Sequence, residues 1–86
     1  MKQETVSLKT LNKYHVLIRE DDAVTLVCSV KSRSSAYLKA IRLSEGGGVS
    51  LIEKYHGLHK HYEVMLFKGG VLKSSTIKHT SLLADV

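Results

Sequence analysis

Apolar and polar residues alternate along two neighbouring stretches near the start of the chain, residues 13–19 and 23–30. Alternation with a period of two is typical of β-strands. The acidic run at residues 20–22 separates the two stretches, so the pattern predicts an antiparallel β-hairpin. Residues 5–11 alternate more weakly and are predicted to form a further strand at a sheet edge.

A loop at Asp21 and Asp22 would fix which residues of this hairpin face each other. It places Leu17 opposite Leu26 and His15 opposite Cys28. Both faces of the predicted hairpin are then largely apolar, which indicates a pair of strands covered on both sides.

The middle of the chain changes to helical spacing. We predict a helix over residues 35–44, ended by the glycines at 46–48, with a strand as the alternative. Ser50 and Glu53 match the capping-box pattern of a helix start, so a second helix is predicted over residues 51–60. Gly57 lies inside that second segment and costs a helix about 1 kcal/mol relative to alanine.

Alternation returns after His61, and Gly69-Gly70 predicts a two-residue turn between two more strands. The face expected to form core carries Tyr62, Val64, Leu66, Val71 and Ile77. Met65, Phe67 and Leu72 would cluster near the turn on the other face. Either a helix covers these three side chains or they form an exposed patch, and exposed apolar patches typically bind a partner.

Together these segments predict a small single α+β domain over residues 1–86. It consists of an antiparallel sheet of two β-hairpins, four to five strands in all, with one or two helices packed on one face. A hydrophobic content of 43% is typical of a globular chain with a modest core. Residues 80–86 are expected to fray, unless Leu82 and Leu83 dock on the sheet.

The net charge of +5 is distributed unevenly. Four basic and four acidic side chains cancel in residues 1–22, so the excess lies in residues 23–86. The chain has no apolar run long enough to span a membrane, and it has a single cysteine, Cys28. We therefore expect a cytoplasmic protein without a membrane segment or a cofactor.

An excess of lysine and arginine favours phosphates or an acidic protein surface as a partner, and we expect a non-enzymatic regulatory protein whose basic face contacts nucleic acid or a nucleoprotein complex. Aromatic residues make up only 6% of the chain, which favours duplex backbone over stacked single-strand bases. The candidate nucleic-acid-binding residues are Lys31, Arg33, Lys39, Arg42, Lys68, Lys73 and Lys78.

Two other functions fit the same residues. The first is a protein-binding inhibitor or adaptor, or a homodimer, that uses the hairpin tip (Met65, Phe67 and Leu72) and free strand edges. The second is a small metal-independent ribonuclease, in which His59 or His61 transfers protons and Lys60, Lys54 or Arg42 stabilises the transition state. His56, His59 and His61 are also weak candidates for metal ligands, although their spacing matches no known zinc pattern.

Overall fold

The computed structural model describes residues 13–83, which form a five-stranded antiparallel sheet with one helix packed against it. This confirms the predicted α+β class. The elements are β1 Tyr14–Glu20, β2 Ala23–Val30, α1 Arg33–Ser44, β3 Val49–His56, β4 His61–Lys68 and β5 Val71–Lys78. The strand order is β2-β1-β3-β4-β5. The strand predicted at residues 5–11 lies outside the described residues.

The first hairpin confirms the two predicted strands, but the expectation that both are covered on both sides is wrong, because β2 is an edge strand of the described sheet and half of its residues are exposed. β1 and β2 are joined at Asp21 and Asp22, and Leu17 faces Leu26 as expected. The predicted pairing of His15 with Cys28 is wrong, because the register shifts beyond Leu17 and His15 faces Ser29 instead. Val27 is the extra residue in this β-bulge, a common feature of edge strands.

Helix α1 confirms the helical interpretation of residues 35–44 over the strand alternative, and it begins two residues earlier. Ser32 is its N-cap: the Ser32 hydroxyl accepts a hydrogen bond from the Ser35 amide at 3.3 Å. The helix ends before the glycine run, where Gly47 takes a φ of +94° that other residues rarely adopt.

The second predicted helix, over residues 51–60, is wrong. Residues up to His56 belong to strand β3, and residues 57–60 form the turn to β4. Leu51 and Ile52 are both buried, but on opposite faces of the sheet: Leu51 pairs with Leu17, and Ile52 pairs with Val16. A strand covered on both sides loses its alternation, and this made the segment resemble a helix.

The main core lies between α1 and the sheet. Its buried residues are Val16, Ala36, Ala40, Ile52, Met65 and Phe67. The ring of Tyr37 meets that of Phe67 edge to face, with centroids 5.3 Å apart. The helix therefore covers Met65 and Phe67, which are each 1% exposed, and the alternative of an exposed patch at these two residues is wrong.

A second, smaller cluster lies on the opposite face of the sheet. Leu17, Leu51 and Val64 are buried there, and Leu82 and Leu83 pack against them. The buried Glu53 carboxylate accepts hydrogen bonds from the Ser81 hydroxyl at 2.7 Å and the Leu82 amide at 2.6 Å. Residues 81–83 are thus docked rather than frayed, and residues 84–86 lie outside the described residues.

The second hairpin has the predicted turn at Gly69-Gly70, but its predicted core face is only partly correct. Val64 is buried, whereas Val71 and Ile77 are 54% and 62% exposed. The register shifts between Leu66 and Phe67, which leaves Lys73 as a bulged residue and pairs Ile77 with Glu63. One inserted residue moves every later side chain of a strand to the other face.

Candidate nucleic-acid interface

Charged side chains separate toward the two ends of the sheet. β1 and β4 begin, and β2, β3 and β5 finish, at the end where α1 starts. We call this the basic end. Its lysines and arginine are Lys13, Lys31, Arg33, Lys54, Lys60 and Lys78. The opposite end holds the acidic residues Glu20, Asp21, Asp22 and Glu45, together with Arg19 and Lys68.

Arg33, in the first turn of α1, is held by several contacts at the basic end. It donates hydrogen bonds to Glu63 Oε1 at 3.2 Å and to the Tyr37 hydroxyl at 3.3 Å. Its guanidinium carbon also lies 5.5 Å from the centre of the Tyr14 ring. Burial disfavours the charge, but the hydrogen bonds with Tyr37 and Tyr14 and the nearby Glu63 outweigh it and raise the pKa of Arg33.

A second cation, the Lys54 ammonium group, also lies over the Tyr14 ring. Lys54 Nζ lies 5.5 Å from the centre of the same ring and donates a hydrogen bond to the Tyr55 carbonyl at 3.0 Å. Cation–π contacts with Arg33 and Lys54 occupy the Tyr14 ring within the protein itself. The Tyr14 ring therefore helps to position these two cations.

Four histidines extend the basic end around the β3–β4 turn. His56 and His61 face each other across the strands with ring centroids 5.4 Å apart, and His59 lies 5.4 Å from His61. His79 follows β5 and acts electrostatically on His61. Burial and the charges of the other three histidines lower the pKa of His61, against the pull of Glu63.

Glu63 is the acidic counterpart within this group. Its Oε1 lies 3.0 Å from His56 Nε2 and 3.2 Å from Arg33. Burial raises the pKa of Glu63, but the hydrogen bond with His56 and the charge and hydrogen bond of Arg33 lower it by a larger amount. The pKa of Glu63 is therefore below its ordinary value. One carboxylate thus contacts both the Arg33 guanidinium and the His56 imidazole.

The structure divides the seven predicted nucleic-acid-binding residues into separate groups. Lys31, Arg33 and Lys78 lie at the basic end, while Lys39 and Arg42 lie on the exposed side of α1. Lys68 and Lys73 lie toward the β4–β5 turn, at the other end of the sheet. The seven residues therefore do not form one surface.

The candidates for other functions are also separated. Of the proposed protein-interface residues, Met65 and Phe67 are buried, and Leu72 is 41% exposed. His59, Lys60 and His61 lie in or beside the solvent-exposed β3–β4 turn rather than on a helix. Within residues 13–83, no group of three or more histidine, cysteine or acidic side chains is arranged to hold a metal ion. His56, His59 and His61 therefore do not form such a group.

Sequence reasoning missed two residues that shape the basic end, Tyr14 and Glu63, for which the alternating pattern predicts only a strand. It named Lys54 only as a candidate for the ribonuclease and predicted it to lie on the second helix, which is wrong. Gly57 gave a usable indication, because a glycine in the middle of a helical pattern also fits a turn between two strands. A strand ending before Gly57 puts Lys54 on the same face as Tyr14.

His15 is a buried histidine on the face of the sheet away from α1. His15 Nδ1 shares a hydrogen bond with the Ser29 hydroxyl at 2.6 Å, while Nε2 is buried without a hydrogen-bond partner. Burial lowers the pKa of His15, partly opposed by Glu53 and reinforced by Lys13 and Lys54. This histidine is held neutral and adds no charge to the basic end.

No family model, curated protein or solved structure matches this chain. Among the helices of residues 13–83, none has the length and apolar character needed to cross a membrane. Functional inference therefore depends on the geometry and charge of the protein itself.

Proposed function

We propose that the protein binds nucleic acid through its basic end. The observation that carries the proposal is the segregation of charge within residues 13–83: five lysines, one arginine and four histidines surround one end of the sheet together with Glu63, and four carboxylates lie at the other end with Arg19 and Lys68. A surface with concentrated positive charge attracts phosphate backbones and orients the protein as it approaches them.

The aromatic residues favour duplex backbone over single strands as the ligand. Binding of single strands depends on bases stacked upon free aromatic rings. Tyr14 is occupied by two cations, Tyr37 packs on Phe67, and Tyr55 and Tyr62 pack on each other with centroids 4.6 Å apart. Lysine side chains on turns and strand ends suit contacts with phosphates, which carry no base sequence.

Two triple variants with the same change in charge test the proposal. The first, Lys31→Gln, Lys60→Gln and Lys78→Gln, removes three exposed lysines from the basic end. The matched control, Lys39→Gln, Lys68→Gln and Lys73→Gln, removes three exposed lysines elsewhere. Fluorescence anisotropy with a labelled 20-base-pair DNA duplex, single-stranded DNA and RNA is measured at about 50 and 200 mM salt.

We expect the first variant to weaken duplex binding roughly tenfold or more and to lower the salt slope by about one unit per lost phosphate contact. The control should bind nearly as well as the unmodified protein. Equal losses in both variants would mean that only net charge matters, and an absence of binding in the unmodified protein would refute the proposal. Cleavage of the RNA, detected on a gel after incubation, would instead favour the ribonuclease if His59→Ala or His61→Ala abolishes it.

A further inference from the structure

Strand β2 forms one edge of the described sheet and carries no charged side chain. Within residues 13–83 it pairs with β1 alone, so every second backbone group of β2 points away from the sheet. Its sequence, AVTLVCSV, contains no lysine, arginine, aspartate or glutamate. Leu26 and Val27, at the middle of the strand, are 45% and 38% exposed. An uncharged, apolar edge of this kind is a template for pairing with a strand of another chain.

The other edge of the sheet, β5, opposes such pairing. It carries Lys73 and Lys78, and lysines on an edge strand are a common device against pairing with other chains. Two copies of β5 side by side would bring like charges together across the strands, which is destabilising. Two copies of β2 bring no strand charges together, so β2 is the edge suited to a second copy of this chain.

The β-bulge at Val27 determines how two copies of β2 fit together. Thr25 and Cys28, on either side of the bulge, lie on the face that carries α1, and Val24 and Ser29 lie on the opposite face. Residues directly opposite each other in an antiparallel pair share a face. A two-fold axis at the bulge meets this condition, because it places Thr25 opposite the partner's Cys28. Val24 then lies opposite the partner's Ser29.

The same axis arranges the apolar and charged side chains favourably. Leu26 and Val27 of both copies meet at the centre, where they exclude water from each other. Parallel pairing would bring the two acidic turns, Asp21 and Asp22, together, whereas antiparallel pairing places them at opposite ends. Each acidic turn then lies beside the partner's Lys31, which follows β2. Of the lysines at the basic end, this pairing involves Lys31 alone.

We propose that the protein forms a two-fold symmetric dimer in which β2 pairs antiparallel with β2 of a second copy. The two five-stranded sheets then form one continuous sheet, with both copies of α1 on the same face. Helix α1 packs mainly over β1 and β3, so it leaves space beside β2 for the added strand. The dimer requires no nucleic acid, so its test is independent of the test of the proposed function.

Sedimentation equilibrium of the full chain, without nucleic acid, measures the association between about 10 µM and 1 mM protein. Val27→Lys should weaken the dimer at least about tenfold, because the two-fold axis brings the two introduced charges together. Val71→Lys is the matched control: Val71 is 54% exposed on β5, and this variant should associate like the unmodified protein. A monomer at every concentration, or equal loss in both variants, would overturn the proposal.

Disulfide formation tests the register separately. Opposite residues of an antiparallel pair have Cα atoms about 4.5–5.5 Å apart, a separation that a disulfide spans. Thr25→Cys should therefore form a covalent dimer through Cys28 of the partner subunit under mild oxidation, seen on a non-reducing gel. Ala23→Cys is the control, because Ala23 is exposed on the same face but lies opposite the partner's Val30. Equal cross-linking in both variants would contradict the proposed pairing.

Discussion

The hydroxyl of Ser50 in β3 donates a hydrogen bond of 2.6 Å to the backbone carbonyl of Ala40 in α1, and both residues are completely buried. A second buried serine forms a similar connection nearby: the Ser44 hydroxyl donates to the Ile41 carbonyl at 3.1 Å and accepts from the Gly70 amide at 2.9 Å. These serines fix the position of α1 along the sheet, and therefore the position of Arg33 at the basic end.

Ser50→Ala should lower the free energy of unfolding by about 1–2 kcal/mol, because a buried hydrogen bond between helix and sheet is lost. Urea denaturation followed by circular dichroism measures the change. Ser75→Ala on the exposed edge strand serves as the control and should change stability by less than about 0.5 kcal/mol. A loss of similar size in both variants would show that the contact between Ser50 and Ala40 does not stabilise the fold.

Ser50 also shows why a local motif misled the sequence analysis. Its spacing to Glu53 matches a capping box, but in the structure Ser50 bonds to the helix ahead of it in the chain, and Glu53 bonds to residues after it. Both partners are distant in sequence, so no local pattern contains them. The helix over residues 35–44 and the turns at Asp21-Asp22 and Gly69-Gly70 were predictable because their capping, glycine and alternation patterns are local.

Which residues meet at the basic end could not be predicted from local sequence patterns, for a related reason. Lys31, Lys60 and Lys78 lie in three different connections or strand ends, and only the strand order brings them to one end of the sheet. The bulges at Val27 and Lys73 shift the pairing of β2 and β5, and no turn residue marks either of them. The charge excess after residue 22 was readable from the sequence, but its location in space was not.

Glu53→Ala should release residues 81–83 from the sheet. The buried Glu53 carboxylate accepts two hydrogen bonds from this segment, and hydrogen bonds to charged groups contribute about 1.5–3 kcal/mol each. We expect a loss of about 2–4 kcal/mol in urea denaturation, below the sum of the two bonds because alanine also relieves the cost of burying the carboxylate, and faster hydrogen exchange at the Leu82 and Leu83 amides. Glu20→Ala, at the exposed end of β1, is the control and should leave that exchange unchanged.

The buried His15 should make the fold less stable as the pH falls through about 6.5. Because burial lowers its folded-state pKa, the unfolded chain takes up a proton near pH 6.5 while the folded protein does not. The stabilisation is therefore complete above pH 6.5 and is lost as the pH falls toward the folded-state pKa. A single such group contributes a slope of at most about 1.4 kcal/mol per pH unit.

Urea denaturation at several values between about pH 5 and 7.5 measures this slope for the unmodified protein and for His15→Gln. The variant should be less stable at neutral pH and show a shallower dependence on pH. His59→Gln, in the exposed turn, should retain the original slope. If His15→Gln keeps the full slope, the pH dependence arises from other groups.

Binding of a DNA duplex at the basic end should strengthen at acidic pH, because protonation of His61 adds a positive charge there. Burial and its histidine neighbours lower the pKa of His61, so this gain develops below about pH 6.5. Each histidine that contacts a phosphate should add about one unit to the salt slope. Fluorescence anisotropy at two salt concentrations and several pH values measures both effects. His61→Gln should reduce this gain while preserving the binding seen at about pH 8. If the gain is unchanged in that variant, it does not come from His61.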